Sequence, residues 1–209
     1  MLRLESEAML VLASASPRRQ ELLRNAGLSF TVQPADIDES PLAGELPREC
    51  AERLARAKAL AIWRTRPQDL VLGADTIVVV DESILGKPID AGDAVRMLRL
   101  LSGRVHTVIT GVCVVQAVGG KTADSDEVLK TENRELRTAS ETTLVTMSEF
   151  SDDEIREYVA TGEPMDKAGA YAIQGIASRW IPRIEGDYSN VVGLPVALVY
   201  RMLRERGAI

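Results

Sequence analysis

The sequence predicts an α/β protein built on a mixed β-sheet. Apolar, β-branched segments alternate with amphipathic helical segments along the chain, an order typical of α/β folds with some antiparallel pairing. Hydrophobic residues make up 45% of the 209 residues and aromatic residues only 4%, so aliphatic side chains must fill a substantial core. Because neither a repeat nor a low-complexity linker divides the chain, we expect one domain over residues 1–209.

The elements are predicted from the period of their apolar residues. Helices, with a cap or proline before an apolar stripe, are expected over 17–26, 48–63, 90–101, 151–161 and 194–206. Strands, with apolar runs or alternation, are expected over 9–13, 30–33, 70–80, 105–116, 142–147, 170–173 and 179–184. The polar stretch 119–140 has no clear period and predicts a long mobile excursion or an extended hairpin.

Local signals support the helix starts. Ser16 suits an N-cap and Pro17 the first helical position. Asp90 suits the N-cap of the helix that follows the long strand, and Ser151 with Glu154 forms a capping box. These residues satisfy the N–H groups that a helix leaves unpaired in its first turn.

Charge and composition disfavour several classes of protein. The formal net charge is −6, whereas a non-specific nucleic-acid binder would normally be basic. No apolar run approaches the roughly 20 residues of a membrane span, and the charged residues in 1–8 do not suit a signal peptide. We therefore expect a cytoplasmic protein that binds neither nucleic acid nor membrane.

Cysteine and histidine are too scarce for several kinds of site. Cys50 and Cys113 are the two cysteines, and we expect both to be inert packing residues. His106 is the sole histidine and is expected to pack or to form a hydrogen bond rather than to catalyse. Any metal ion should therefore be a hard cation with oxygen ligands.

The start of the first helix is a candidate anion site. Arg18 and Arg19 follow Ser16 and Pro17, and their charges oppose the positive end of the helix dipole. A phosphate bound at this point would balance them, since N–H groups of the first turn also face it. The alternative is a capped surface helix with two solvated arginines.

Two charged residues interrupt apolar surfaces. Lys58 falls within an apolar helix stripe, so it either extends its ammonium to solvent or reaches into a cleft. Asp75 lies in the middle of a strand that is apolar on both faces, and it needs a cation, a metal or hydrogen-bond donors. A structural salt bridge is the alternative. Gly73 beside it leaves room for a close approach.

Three further segments are candidates for ligand contact. Asp38 and Glu39 form a carboxylate pair after an early strand, and Lys87 lies in a tight loop without the P-loop pattern. Gln174 lies in the glycine-rich segment 166–175, where its amide suits the donor and acceptor edge of a nucleobase. The alternative for Asp38 and Glu39 is a turn or a solvated acidic loop, and the alternative for 166–175 is a plain glycine-rich turn.

Taken together, these segments resemble the Maf family, the septum-formation-inhibitor-like nucleotide pyrophosphatases. Ten blocks in family order carry the resemblance: 14–19, 38–39, 54–59, 73–76, 86–88, 101–103, 162–164, 166–175, 186–188 and 192–195. The resemblance implies an elongated mixed-sheet fold with two lobes and a central cleft, similar to inosine-triphosphate pyrophosphatases. It also implies metal-dependent hydrolysis of a nucleoside triphosphate to the monophosphate and pyrophosphate, and it favours a homodimer.

The resemblance also suggests roles for residues. Asp75 matches the family's general base, and Arg18, Thr76 and Gln174 match positions tied to base selection. Two motifs match the dTTP/UTP branch of the family rather than the 7-methyl-GTP branch. They are the Ser-Pro-Arg-Arg motif, which lacks the tryptophan inserted in the other branch, and the sequence of 167–175.

We therefore expect a house-cleaning dTTP/UTP pyrophosphatase that uses Mg²⁺ or Mn²⁺, with modified pyrimidine nucleotides as further candidate substrates. Glu39 and Asp75 are the candidate metal ligands, and Asp75 would also activate the attacking water. The candidate substrate-binding residues are Ser16, Arg18, Arg19, Lys58, Thr76, Lys87 and Gln174. The alternative is a non-catalytic nucleotide-sensing regulator of septum formation, which would need the basic residues but not the carboxylates.

Overall fold

A seven-stranded mixed sheet organises the computed structural model, which describes residues 9–81, 83–117, 134–206 and 208–209. The strands are β1 (Leu10–Leu12), β2 (Thr31–Val32), β3 (Leu70–Val80), β4 (Ser83–Leu85), β5 (Val105–Ala117), β6 (Arg134–Thr146) and β7 (Arg183–Glu185). Their order is β2-β1-β3-β5-β6-β7, with β4 also beside β3. β1 pairs in parallel with β2 and β3, and the other pairings are antiparallel. The predicted α/β class with a mixed sheet is confirmed.

Helices connect and cover these strands. They are α1 (Pro17–Asn25), α2 (Pro47–Trp63), α3 (Ala91–Leu101), α4 (Asp152–Ala160), α5 (Tyr188–Val192) and α6 (Val196–Arg204). The predicted caps are present: Ser16 accepts from the third residue of α1, Asp90 caps α3, and Ser151 forms a capping box with Glu154. None of the described helices is both long and apolar enough to cross a membrane.

Helix α2 covers one face of the sheet at unusually close range. An ideal Cβ on Gly73 of β3 would lie 2.2 Å from the carbonyl oxygen of Ala55. One on Gly111 of β5 would lie 2.3 Å from the carbonyl oxygen of Ala51. The close approach expected at Gly73 is therefore made by α2, and it brings Lys58 of that helix to the middle of β3.

The opposite face of the sheet carries two separate apolar clusters. Helices α1 and α6 form one cluster over the start of β3 with Leu23, Leu72, Val112, Leu198 and Met202. Helices α3 and α4 form the other over the end of β3 with Val78, Met97, Leu101, Val108 and Ile155. Side chains alternate along a strand, so Thr76 shares the face of Leu72 and Val78 and lies between the clusters.

Several predicted boundaries and elements were wrong. β6 begins at Arg134 rather than at 142, and residues 134–140 pair antiparallel with β5, which agrees with the extended hairpin rather than the mobile excursion. Residues 170–173 form no strand, because Gly169 and Ala170 take left-handed φ angles of 70° and 59° within a 3₁₀ turn. Of the predicted strand 179–184, Arg179 and Trp180 end a 3₁₀ turn, Ile176–Trp180, and only Arg183 and Ile184 lie in a strand, β7. Residues 1–8, and 119–133 of the predicted excursion, lie outside the described residues.

Gly111→Ala should destabilise the protein by roughly 1–3 kcal/mol or more, because the new methyl group would force α2 away from the sheet. Urea unfolding followed by circular dichroism measures the change. Gly92→Ala is the matched control: Gly92 is exposed in α3, and its new Cβ would meet only the side chain of Asp90 at 3.3 Å. Equal unfolding midpoints for Gly111→Ala and the wild type would contradict this account of the α2 contact.

Candidate active site

A cleft of about 640 Å³ opens at the middle of β3. β1 pairs with the start of β3 at Leu70–Leu72 and β4 with its end at Val78–Val80, so residues 73–77 lie between these two partners. The volume is in the range of small-molecule sites. Asp38 is not among the residues that line this cleft. The nine candidate residues that line it are Ser16, Arg18, Arg19, Glu39, Lys58, Asp75, Thr76, Lys87 and Gln174.

The centre of the cleft is a lysine shared by two carboxylates. Lys58 Nζ lies 2.6 Å from Asp75 Oδ1 and 2.6 Å from Glu39 Oε1. The side chains of Lys58 and Asp75 are each only 9% exposed. Lys58 therefore reaches into the cleft rather than extending to solvent, and its ammonium compensates the buried charge of Asp75.

Glu39 connects this pair to the cleft mouth. Burial alone would raise the pKa of Glu39, but the hydrogen bond and charge of Lys58 outweigh it and lower the pKa below its ordinary value. Lys87 Nζ lies 3.8 Å from Glu39 Oε2, and the Lys87 side chain is largely exposed. The cleft thus presents the carboxylates of Glu39 and Asp75 beside the amino groups of Lys58 and Lys87.

Arg19 is fixed by hydrogen bonds to the protein itself. Its guanidinium donates to the Gly193 carbonyl at 2.8 Å, to Thr76 Oγ1 at 3.0 Å and to Ser14 Oγ at 3.1 Å. Burial lowers the pKa of Arg19, and the charges of Asp75 and Glu39 counter that effect. Arg19 therefore ties the start of α1 to β3 and to the end of α5, using three of its five N–H donors.

Thr76 belongs to the same network. Its hydroxyl accepts from Arg19 and lies 2.9 Å from Thr110 Oγ1 and 3.3 Å from the Gly193 carbonyl oxygen. Thr110 in turn donates to the Asn190 carbonyl at 3.1 Å. These contacts occupy most of the hydrogen-bonding capacity of Thr76 and join the two apolar clusters beneath the cleft.

Ser16 and Arg18 lie at the start of α1. Ser16 Oγ accepts from the backbone N–H of Arg19 at 3.4 Å and so serves as the helix cap. Arg18 crosses the cleft, and its Nη1 lies 3.2 Å from Asp166 Oδ2, with side chains 28% and 64% exposed. An exposed ion pair of this kind is weak, so Arg18 exchanges partners at little cost.

Gln174 also lines the cleft. It is exposed in a turn that follows the left-handed pair Gly169 and Ala170. Within the described residues its amide makes no hydrogen bond, so its donor and its acceptor are both available to a ligand in the cleft. This geometry suits recognition of a planar polar group.

The histidine and both cysteines are buried. His106 is buried, and its Nε2 lies 2.7 Å from Tyr171 Oη, which confirms the predicted hydrogen-bonded histidine. Cys50 and Cys113 are buried and free. Burial raises the pKa of the Cys50 thiol to about 11, so this thiol at the cleft stays protonated and is a poor nucleophile.

His106 should make stability depend on pH between about 4 and 6.5. Burial lowers the pKa of His106 to about 4, whereas the unfolded value is 6.5. The unfolded chain thus binds one more proton in this window, and the free energy of unfolding should fall by up to about 3 kcal/mol as pH falls through it. Urea titrations at several pH values measure the slope. If the free energy of unfolding of His106→Gln depended on pH as in the wild type, His106 would not be the cause of that dependence.

Sequence reasoning missed the residues that support the site. Ser14, Thr110, Asp166 and Gly193 contact the predicted residues, and Asn190 contacts Thr110, but none of them was singled out for that role. Thr110 carried a usable signal, because it is a polar residue in an apolar strand, as Asp75 is. No sequence signal marked Asn190 and Gly193, because they contribute backbone carbonyl oxygens and every residue has a backbone carbonyl oxygen.

The fold and the cleft resemble those of α/β proteins that bind phosphorylated ligands. A parallel strand ends at Leu12, a helix N-terminus follows at Pro17, and cationic side chains converge there.

The chain belongs to the Maf family, whose model, described as Maf-like protein, matches residues 9–206. A protein of Koribacter versatilis named dTTP/UTP pyrophosphatase is 53% identical, with all of both chains covered. Proteins of the same name from Syntrophomonas wolfei and Anaeromyxobacter dehalogenans are 50% and 49% identical. The matches cover 94% and 95% of this chain and 96% and 94% of theirs. The resemblance drawn from the sequence is confirmed.

Proposed function

We propose that the protein hydrolyses dTTP and UTP to the nucleoside monophosphate and pyrophosphate. The observation that carries the proposal is the buried Lys58 between Glu39 and Asp75, at the centre of a cleft that also receives Arg18 and Lys87. The names of the relatives supply the substrate and the reaction. A cleft with both cations and carboxylates suits hydrolysis of a phosphoanhydride better than nucleotide storage.

The cationic groups would hold the triphosphate. Arg18 and Lys87 are accessible at the cleft, and Arg18 would exchange Asp166 for a phosphate. Lys58 lies deeper, where its ammonium contacts both carboxylates. Arg19 has N–H donors left after its contacts with the protein, and Ser16 shapes the helix start beside them.

The carboxylates fit a divalent cation that is shared with the substrate. Glu39 and Asp75 both touch Lys58 Nζ, so they are neighbours, and each has a second oxygen outside that contact. Across the described ranges no group of three or more acidic, cysteine or histidine residues could hold a metal ion by itself. Mg²⁺ commonly takes one or two carboxylates plus substrate phosphates. Mg²⁺ or Mn²⁺ held by Glu39 and Asp75 would supply charge neutralisation at the phosphates.

Asp75 is the proposed general base. Lys58 fixes its Oδ1, and Oδ2 would accept the proton of a water that attacks the α-phosphorus. The bond from that phosphorus to the bridging oxygen would break, and pyrophosphate would leave with the electron pair. Asp75 suits this role better than Glu39 because it is fixed within β3, whereas Glu39 lies on a loop and is 43% exposed.

Gln174 is the proposed contact for the pyrimidine. Its exposed amide offers a donor and an acceptor, as the edge of thymine or uracil requires. Thr76 would act mainly through Arg19, since its hydroxyl is already engaged.

The test is pyrophosphate release from a panel of nucleoside triphosphates with Mg²⁺ or Mn²⁺. We expect release from dTTP and UTP and much less from purine nucleotides. Nucleotide binding without release across the panel would contradict the proposal and point to a sensor. The single domain, the cytoplasmic location and the homodimer expected from the sequence stay predictions.

A further inference from the structure

The carboxylate of Glu163 lies outside the cleft but holds the segment that forms one of its walls. Glu163 follows α4 in a short 3₁₀ turn. Its Oε1 accepts from Tyr158 Oη at 2.8 Å and from the backbone N–H of Ile176 at 3.1 Å, and its Oε2 lies 3.2 Å from the same N–H. The carboxylate thus joins the last turn of α4 to the residue just beyond Gly175.

Tyr158 holds the other end of the same segment. The backbone N–H of Ala172 donates to Tyr158 Oη at 3.3 Å. Tyr158 is almost fully buried, and burial together with Glu163 raises the pKa of its hydroxyl, so it stays protonated and donates to Glu163. Residues 172–176 are therefore fixed at both ends by one hydrogen-bonded pair.

Gly175 fits directly against this carboxylate. An ideal Cβ on Gly175 would lie 2.2 Å from Glu163 Oε1, so the backbone next to Gln174 is in contact with the Glu163 side chain. Gln174 itself makes no hydrogen bond within the described part of the chain, and its position depends on its backbone. The contacts of Glu163 and Tyr158 supply that support.

We propose that Glu163 is a positioning residue for nucleobase selection, acting through Gln174. This inference rests on the proposed function, in which the Gln174 amide contacts the pyrimidine. Glu163 is not among the residues that line the cleft, so it acts on the substrate only through the segment that it holds. A carboxylate suits this task because its hydrogen bonds to backbone N–H and hydroxyl donors are charge-assisted.

The test is a double-mutant cycle on base preference. We expect Glu163→Ala and Gln174→Ala each to reduce the preference for UTP over CTP by about 3- to 10-fold, the effect of one hydrogen bond. The double variant should lose no more than Gln174→Ala alone, because Glu163 acts through that residue. Equal, additive losses would overturn the proposal.

The kinetic constants separate positioning from general damage. Loss of a base contact should raise KM for UTP with little change in kcat, whereas partial unfolding would lower kcat at unchanged KM. Glu163→Gln keeps one carbonyl acceptor and should recover part of the preference. Glu157→Ala, on the exposed side of α4, is the matched control and should behave as the wild type.

Two outcomes distinguish this inference from the proposed function. Absence of pyrophosphate release by the wild type would reject the proposed function itself. Release by the wild type with an unchanged preference in Glu163→Ala would reject the role of Glu163 alone. If Glu163→Ala does not fold, Tyr158→Phe replaces it, since that change removes the hydroxyl that both Glu163 and Ala172 contact.

Discussion

Asp75→Asn should reduce pyrophosphate release by about 10²–10⁴-fold, the range expected for loss of a general base. The asparagine has the same shape and keeps a carbonyl oxygen that Lys58 Nζ can contact, but it accepts no proton from water. The loss should appear in kcat, because the proton is transferred only during the chemical step. Steady-state release from UTP at saturating Mg²⁺ measures it.

The fold should survive this change. Glu39 still contacts Lys58 Nζ in the variant, so the buried ammonium keeps one carboxylate partner. Asp38→Asn is the matched control, because Asp38 is an exposed carboxylate beside Glu39 whose Oδ1 accepts from the backbone of Ser40. We expect that control to keep nearly full activity. Wild-type turnover by a folded Asp75→Asn protein would remove Asp75 from the mechanism.

Long elements with continuous patterns were predictable from the sequence. β3 was predicted over 70–80 and spans Leu70–Val80, and α2 was predicted within one residue of its start. Both are long and apolar, and tertiary packing strengthens what their patterns already favour. The caps at Ser16, Asp90 and Ser151 were also correct, because capping depends on residues close in sequence.

Elements that depend on distant partners were predicted less well, and the extended hairpin at β6 was only one of two alternatives. The first half of β6 is polar and half-exposed, and it is a strand because β5 pairs with it, for example at Gln116 and Glu135. The stretch around Ala170 has the apolar composition of a strand, but its left-handed backbone follows from the turn at Gly169. β4 and α5 are so short that no period marks them.

The candidate site also combines features that local sequence predicts with features that depend on distant residues. Its lining residues were predictable, since Lys58 and Asp75 are charges on apolar surfaces and each therefore needed a partner. Their mutual contacts were harder to predict, because Arg18 meets Asp166 across 148 residues of sequence and Arg19 meets Gly193 across 174. Local patterns indicate that a residue needs a partner, but only the fold identifies the partner.

Lys58→Met should lower the free energy of unfolding by about 3–5 kcal/mol, the cost of leaving a buried charge without its partner. Methionine keeps most of the apolar stem that packs along α2 and removes the ammonium, so the change isolates the charge. Asp75 and Glu39 would then face each other without the cation between them. Urea unfolding at neutral pH measures the effect, with Lys87→Met as the exposed control.

The Lys58→Met variant also tests whether the ammonium group separates the carboxylates of Glu39 and Asp75. If the two carboxylates repel each other once Lys58 is neutral, adding Glu39→Gln should recover part of the lost stability, because one of the two charges is removed. Mg²⁺ should also stabilise Lys58→Met more than the wild type, since a divalent cation would replace the missing positive charge. The variant should lose turnover as well as affinity, because Lys58 fixes Oδ1 of the proposed base. Full stability of Lys58→Met, with no response to Glu39→Gln or to Mg²⁺, would show that the ammonium does not hold this site together.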